Sequence, residues 1–454
     1  MKRLYFKYSL FLFYWPIRIS LLCFHKNHKM NILLLGSGGR EHALAWKLAK
    51  SPLTTRLYIA PGNPGTEQTG ININLNLANF YEIGSFCLEH SIQLVIVGPE
   101  EPLVNGIYDY FKNDLNLRHI SILGPSKDGA QLEGSKDFAK HFMQEFNIPT
   151  AAYRTFDSTN IEEAIDYINS YEPPYVIKAD GLAAGKGVII PTTRTEAIDT
   201  LKDMLLNKRF GASSDKVVIE KFLKGIELSV FVLTDGQDWL LLPEAKDYKK
   251  IGIGDTGPNT GGMGSVSPVS FADKSFMDKV IERIIKPTIE GLKQRKIDYK
   301  GFVFFGLINV DGNPFVIEYN VRMGDPETES VIPRIKSDLV NLLKACADGK
   351  LKDERIIIDN QAAATVVLVS GGYPGEYKKG FPISDLEIDH SSLIFHAGTK
   401  TDPQKGTVTS GGRVFAITSL ANTVSEALNL SFETSHKIDF EGKYFREDIG
   451  FDLI

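Results

Sequence analysis

From Met30 onward the chain repeats one arrangement: an apolar strand, a turn rich in glycine or proline, then a helical stretch. Asn31–Leu35 runs into Gly36-Ser-Gly-Gly-Arg-Glu-His42 and a helix over Ala43–Ala49. Leu57–Ala60 runs into Pro61-Gly-Asn-Pro-Gly65, and Leu94–Val97 ends in Gly98-Pro-Glu-Glu-Pro102. Strands that alternate with helices predict a parallel, doubly wound sheet, whose ligands sit beyond the C-terminal ends of the strands. The three turns share that edge.

The first turn begins a G-x-G-x-x-G pattern at Gly36 and Gly38, but Glu41 takes the place of the third glycine. The second strand closes on Ala60-Pro-Gly-Asn63, with no acid to accept the ribose diol of a dinucleotide. Two readings stay open: a monophosphate at the helix N-terminus, aided by Arg40, and a tight turn with no ligand.

Lys178–Gly187 (KADGLAAGKG) lies between two strand-like runs, Tyr175–Lys178 and Val188–Ile190. A Walker A loop has more residues between its glycines, a Ser or Thr after the lysine and a helix behind it; this stretch has none of these. It reads as a flexible hairpin tip whose glycines admit a polyphosphate to backbone N–H groups, with Lys178 and Lys186 as countercharge. An ordinary glycine-rich turn is the alternative.

Ser126–Phe146 reads as one helix that places Lys136 and Lys140 on a shared face, by itself a solvated one. Val217–Glu220 is a buried-looking strand ending in an acid. The glycine-rich run Asp255–Gly264 reads as a mobile loop, either a lid or a connector, with the lid preferred. After a helix around Phe276–Arg295 come two strands, Gly301–Val310 and Pro314–Asn320. Alternation puts Glu318, Asn320 and Arg322 on one side. A carboxylate and an amide so spaced offer oxygen ligands to a hard ion such as Mg²⁺, and Arg322 adds a fork for a phosphate. Asp325 and Glu327 follow in a tight turn. From about Leu351 short β segments and a helix over Thr423–Leu430 predict a small α+β domain, where packing suits Arg413 better than ligand contact.

The length of 454 residues leaves room for roughly three domains. A formal net charge of −5 speaks against general nucleic-acid binding, and the composition against a membrane protein. Cys23, Cys87 and Cys346 form neither a disulfide framework nor a zinc spacing, which suits a reducing compartment. Residues 1–29 carry Lys and Arg but no Asp or Glu. Pro16 and Arg18 break the apolar core a signal peptide needs, so the segment is read as a leader or a mis-assigned start, with Met30 as the alternative first residue.

Taken together, Gly36–His42, Leu132–Lys136, Lys178–Gly187, Asp255–Gly264 and Glu318–Glu327 resemble the phosphoribosylamine-glycine ligase (glycinamide ribonucleotide synthetase) family of the ATP-grasp superfamily. The resemblance covers the chain from Met30 on. It implies an α/β and α+β multidomain protein: an N-terminal doubly wound, Rossmann-like substrate domain over 30–131, an ATP-grasp domain over 132–350 with a flap at about 150–222, and a C-terminal α+β domain over 351–454. It further implies a cytoplasmic monomer acting on glycine, 5-phosphoribosylamine and ATP with Mg²⁺ or Mn²⁺, and without nucleic-acid or membrane partners.

The residue roles it implies are these. Lys136 and Lys178 contact ATP phosphates beneath a flap that includes Gly185, Lys186 and Gly187. Glu220, Lys221 and Leu223 hold adenine, and Glu227 the ribose. Glu318 and Asn320 bind the metal, and Arg322 steadies an acyl phosphate, with Lys178 as its catalytic partner. Gly38, Gly39, Arg40, Pro99, Glu100 and Asp325 face phosphoribosylamine. Lys246 and Tyr248 differ from the family pattern, which has Gln and His there. Two rivals are an NAD-linked oxidoreductase built on the first sheet and a nucleotide sensor without turnover.

Overall fold

The structure, a computed structural model, describes residues 29–183, 187–386 and 391–453. Gly185 and Lys186 lie outside them, as do residues 1–28. The parallel sheet expected at the start is present. Met30–Gly36 pairs in parallel with Thr54–Pro61 and with Ile92–Val97, which pairs with Ser121–Pro125. These strands are near-continuous apolar runs because helices cover both faces, so alternation is not required.

The sheet continues beyond that unit. Tyr299 and Lys300 pair antiparallel with Pro125 and Gly124, which joins Tyr299–Val310, Asn313–Asn320, Ile226–Thr234 and Trp239–Leu241 to the first strands in one nine-stranded sheet. The crossing is tight: a Cβ on Gly301 would lie 3.1 Å from the Gly124 backbone nitrogen. Beside it a four-stranded sheet, in the order Tyr153–Asp157, Lys216–Lys221, Tyr175–Ala179, Val188–Ile189, packs against the helices Ile161–Asn169 and Arg194–Leu205. A five-stranded sheet runs Lys246–Asp247, Gly264–Ser267, Ala362–Val369, Arg413–Ala421, Leu393–His396, with the helix Val424–Lys437 against it. Two of its strands come from the middle of the chain.

Three expectations are corrected. The helix over Ser126–Phe146 is two helices, Lys127–Gly134 and Lys136–Glu145. They break at Ser135, which is extended and whose Oγ accepts the Phe138 N–H at 3.1 Å, capping the second helix. The first helix starts at Gly39 rather than Ala43, because the Glu41 carboxylate accepts the Gly38 N–H at 2.7 Å and closes its first turn. The glycine-rich run is no open loop: Lys250–Gly252 pairs with Thr256–Asn259 as a hairpin, and Gly264–Ser267 is a strand. The turn is held by Asp255, whose carboxylate meets the Arg446 guanidinium at 2.6 Å.

Candidate active site

The strand Asn313–Asn320 organises the cleft. Its pairing shifts register where Gly306 faces Glu318 and Leu307 faces Val316, leaving Ile317 without a partner. Such a bulge frees a carbonyl and re-aims the side chains that follow. The freed Ile317 carbonyl accepts the Lys178 ammonium at 3.0 Å. Glu318 packs on Gly306, where a Cβ would lie 3.1 Å from Glu318 Cγ. No described residue donates a hydrogen bond to the Glu318 carboxylate or the Asn320 side chain.

Lys178 is buried and pairs with Glu220 Oε1 at 2.8 Å. The other Glu220 oxygen pairs with Lys140 at 2.9 Å. Burial alone would raise the Glu220 carboxyl, but Lys178 and Lys140 outweigh it and hold it below the ordinary value. The solvated reading of Lys140 is therefore overturned: this lysine is 2% exposed, donates to Thr150 Oγ1 at 2.7 Å, and is brought down to about 8 by burial, with Glu220 opposing. Lys136 reaches the flap, donating to the Gly181 carbonyl at 2.8 Å. Its pKa is lowered by burial, against the pull of Glu318 and Glu133. The Asp180 carboxylate ties the same flap to the helix start, accepting the Asp137 N–H at 3.1 Å. Gly187 is in place at the base of the flap, its carbonyl accepting the Ala179 N–H at 2.8 Å.

Arg322 stands beyond the strand end. Its Nη2 donates to Glu133 at 2.8 Å and its Nε lies 3.4 Å from Glu100. The second Glu133 oxygen accepts the Val321 N–H at 2.8 Å. Arg322 and Arg40 both donate to the Met323 carbonyl at 3.2 Å, so the N-terminal turns and the strand end meet at one atom. Glu100 is held below its ordinary value: burial is outweighed by Arg322 and Arg40. Pro99 precedes it as the cap of its short helix.

At the first turn the helix N-terminus already holds a carboxylate, since Glu41 takes the Gly38 N–H and the Arg40 Nε at 2.6 Å. This explains the missing third glycine. Glu41 folds back over the turn, so close that a Cβ on Gly36 would lie 2.4 Å from its Cγ. Gly39 leaves room for Glu329, whose Oε1 lies 2.4 Å from where a Cβ would stand. Glu329 is fully buried and neither of its oxygens has a hydrogen-bond partner. Burial, with Asp325 adding, pushes its carboxyl well above the ordinary range. Asp325 in turn pairs with Arg413 at 3.0 Å, so an arginine assigned to packing reaches the site.

Glu227 lies at the cleft surface, paired with Lys249 at 2.9 Å, and Lys249 also binds Asp247 at 2.8 Å. Glu327 lies behind this group, accepting from Ser229 Oγ at 2.8 Å. Burial and the nearby Asp247 push it up to about 7. Lys221 ends the strand Lys216–Lys221 and Leu223 lies just beyond it, on the way to Glu227; the Lys221 N–H donates to the Ala152 carbonyl at 2.9 Å. Sequence reasoning gave no role to Glu133, Lys140, Lys249 or Glu329. Their signal is pairing with residues remote in the chain, which spacing does not carry.

A metal was expected at Glu318 and Asn320. Among the described residues no group of three or more His, Cys, Asp or Glu is placed to hold one. One carboxylate and one amide oxygen, to which no described residue donates, do fit an ion that takes its other ligands from phosphate and water.

Three family profiles match in order: the N domain of phosphoribosylglycinamide synthetase over residues 30–133, its ATP-grasp (A) domain over 134–328 and its C domain over 363–452. The phosphoribosylamine–glycine ligase of Vibrio cholerae is 45% identical over 430 residues, covering 94% of this chain and 99% of that protein. A bifunctional purine biosynthetic protein of Pichia angusta is 44% identical over 429 residues, 53% of its own length. The crystal structure of the phosphoribosylamine–glycine ligase of Thermotoga maritima matches with a TM-score of 0.80 at 36% identity, over 92% of this chain and 99% of that one. The biotin carboxylase of Campylobacter jejuni shares the fold, with a TM-score of 0.68 at 14% identity.

Proposed function

The chain belongs to the phosphoribosylglycinamide synthetase family, and from that premise we propose how its cleft works. It is an ATP-dependent carbon–nitrogen ligase that joins glycine to 5-phosphoribosylamine, giving glycinamide ribonucleotide, ADP and phosphate in purine biosynthesis. The glycine carboxylate attacks the γ-phosphorus of ATP and ADP leaves. The amine nitrogen of 5-phosphoribosylamine then attacks the acyl carbon of glycyl phosphate and loses a proton as phosphate departs.

Phosphoryl transfer asks the protein mainly for positioning and charge stabilisation. Lys136 and Lys178 serve the ATP phosphates, held by the Gly181 and Ile317 carbonyls and by Glu220. Lys178–Gly187 acts as the flap over them. The backbone from Glu220 to Leu223 receives adenine while the Glu220 carboxylate stays with its lysines, and Glu227 receives the ribose. Glu318 and Asn320 would hold Mg²⁺ or Mn²⁺, which neutralises phosphate charge. Arg322, oriented by Glu133 and Glu100, faces the acyl phosphate. Gly38, Gly39, Arg40, Pro99, Glu100 and Asp325 line the phosphoribosylamine side. The buried free thiols of Cys87 and Cys346 suit work in the cytoplasm, and the working unit in this reading is a monomer. Among the described residues no helix is long and apolar enough to cross a membrane.

The observation that carries this reading is convergence. Lys136 from a helix start lies within electrostatic reach of Glu318 and Glu133, Lys178 bonds the carbonyl of Ile317 beside Glu318 across 139 residues, and Arg322 at the strand end pairs with the same Glu133. ADP release should require glycine and 5-phosphoribosylamine together; ADP formed with another amino acid at the same rate, or none with this pair, would contradict it.

A further inference from the structure

The segment Tyr444–Asp452 lies against the elements that carry Asp247 and Lys249. Asp452 Oδ2 pairs with Lys246 Nζ at 3.2 Å, and Asp452 Oδ1 accepts the Tyr248 hydroxyl at 2.8 Å. The Lys246 side chain is only 7% exposed, and its ammonium stands 3.8 Å from the centre of the Tyr248 ring. Arg446, with no exposed surface, pairs with Asp255 at 2.6 Å and Asp448 at 2.8 Å, and donates to the Lys250 carbonyl at 3.1 Å. Tyr444 Oη donates to the Ile251 carbonyl at 2.9 Å.

Alternation along the chain places Lys246 and Tyr248 on one side of this strand and Asp247 and Lys249 on the other. The second side faces the nucleotide cleft, where Lys249 links Asp247 to Glu227. Asp452 therefore grips the back of the strand whose front holds Glu227. Without that carboxylate the buried Lys246 ammonium loses its one hydrogen-bonded counter-charge and keeps only the Tyr248 ring and the more distant pull of Glu227, and a strand relieves such a loss by shifting the charge toward water. Any such shift moves Lys249 and releases Glu227.

We propose that Asp452 is a positioning residue for ATP: by holding Lys246 and Tyr248 together it sets where Lys249 presents Glu227 to the nucleotide ribose. This rests on the reading of Glu227 as the ribose-binding acid. The phosphate-handling residues lie on other elements, so the effect falls on ATP binding rather than on the chemical step.

The test is steady-state kinetics of the full chain with ATP varied and both other substrates saturating, alongside hydrogen exchange at the Tyr248 amide, which bonds the Gly264 carbonyl at 3.0 Å. Asp452→Asn should raise KM for ATP about tenfold with kcat within about twofold, the pattern of lost uniform binding. Asp452→Glu should recover most of it, and Tyr248→Phe, which removes one hydrogen bond, should give a smaller rise in the same direction. In a Lys246→Met/Tyr248→Phe background, Asp452→Asn should add nothing. An undiminished further rise in that background, or a fall in kcat with KM unmoved, overturns the proposal. Unchanged exchange at Tyr248 in Asp452→Asn overturns it at the grip itself. Faster exchange with KM for ATP unmoved overturns it at the Glu227 reading, which Glu227→Gln checks separately.

Discussion

Glu318 lies within electrostatic reach of Lys136, and no described residue donates a hydrogen bond to its carboxylate or to the Asn320 side chain, so their removal should cost function and little stability. Glu318→Gln and Asn320→Ala are each expected to lower metal-dependent ADP formation by about a hundredfold or more, the scale of losing a charge-stabilising group in a transition state. Their melting temperatures should stay near that of the parent, and full activity in both would remove the metal assignment. Glu329 has the opposite character. Burial raises its folded pKa, so its stability contribution is present below the unfolded Glu value of about 4.3 and is lost as pH rises toward the folded value. Glu329→Gln should therefore raise the melting temperature at neutral pH, with the gain fading toward pH ~4; a gain independent of pH would contradict the account. The residues legible in the sequence, Lys178, Glu318, Asn320 and Arg322, stand in short patterns whose chemistry is local. Glu133, Lys140 and Glu329 were not legible because each is defined by a partner or a void supplied by distant chain.

The break at Ser135 turns a face of two lysines into two roles, since it sends Lys136 to the flap and Lys140 inward to Glu220. Its Oγ both caps the second helix and donates to Asp180 at 3.2 Å. Ser135→Ala should cost about 1 kcal/mol of unfolding free energy in denaturant titrations, the usual loss for a missing cap; no change would mean that neither contact of this hydroxyl sets the boundary. Periodicity runs smoothly across Gly134 and Ser135, which is why one helix was expected. The glycine-rich run misled for a related reason. Its glycines suit an open loop and a tight hairpin equally, and Arg446, which decides between them, stands 191 residues away.

Across the whole molecule, the order of elements in the N-terminal sheet followed from apolar runs and turn residues. The join between that sheet and the ligase core did not, because two pairs of residues, Tyr299 with Pro125 and Lys300 with Gly124, make it. That join places the N-terminal turns opposite the end of Asn313–Asn320, where Arg40 and Arg322 share the Met323 carbonyl. The proposed phosphoribosylamine side and the proposed acyl-phosphate side are thereby held against one another, as a two-step ligation requires. In the proposed reaction the glycine carboxylate is phosphorylated before the amine attacks. Glycine carrying heavy oxygen in both carboxylate positions, turned over with ATP and 5-phosphoribosylamine, should deliver one heavy oxygen to each phosphate released. Phosphate free of label, with one heavy oxygen kept in the product amide and the other lost to water, would contradict it.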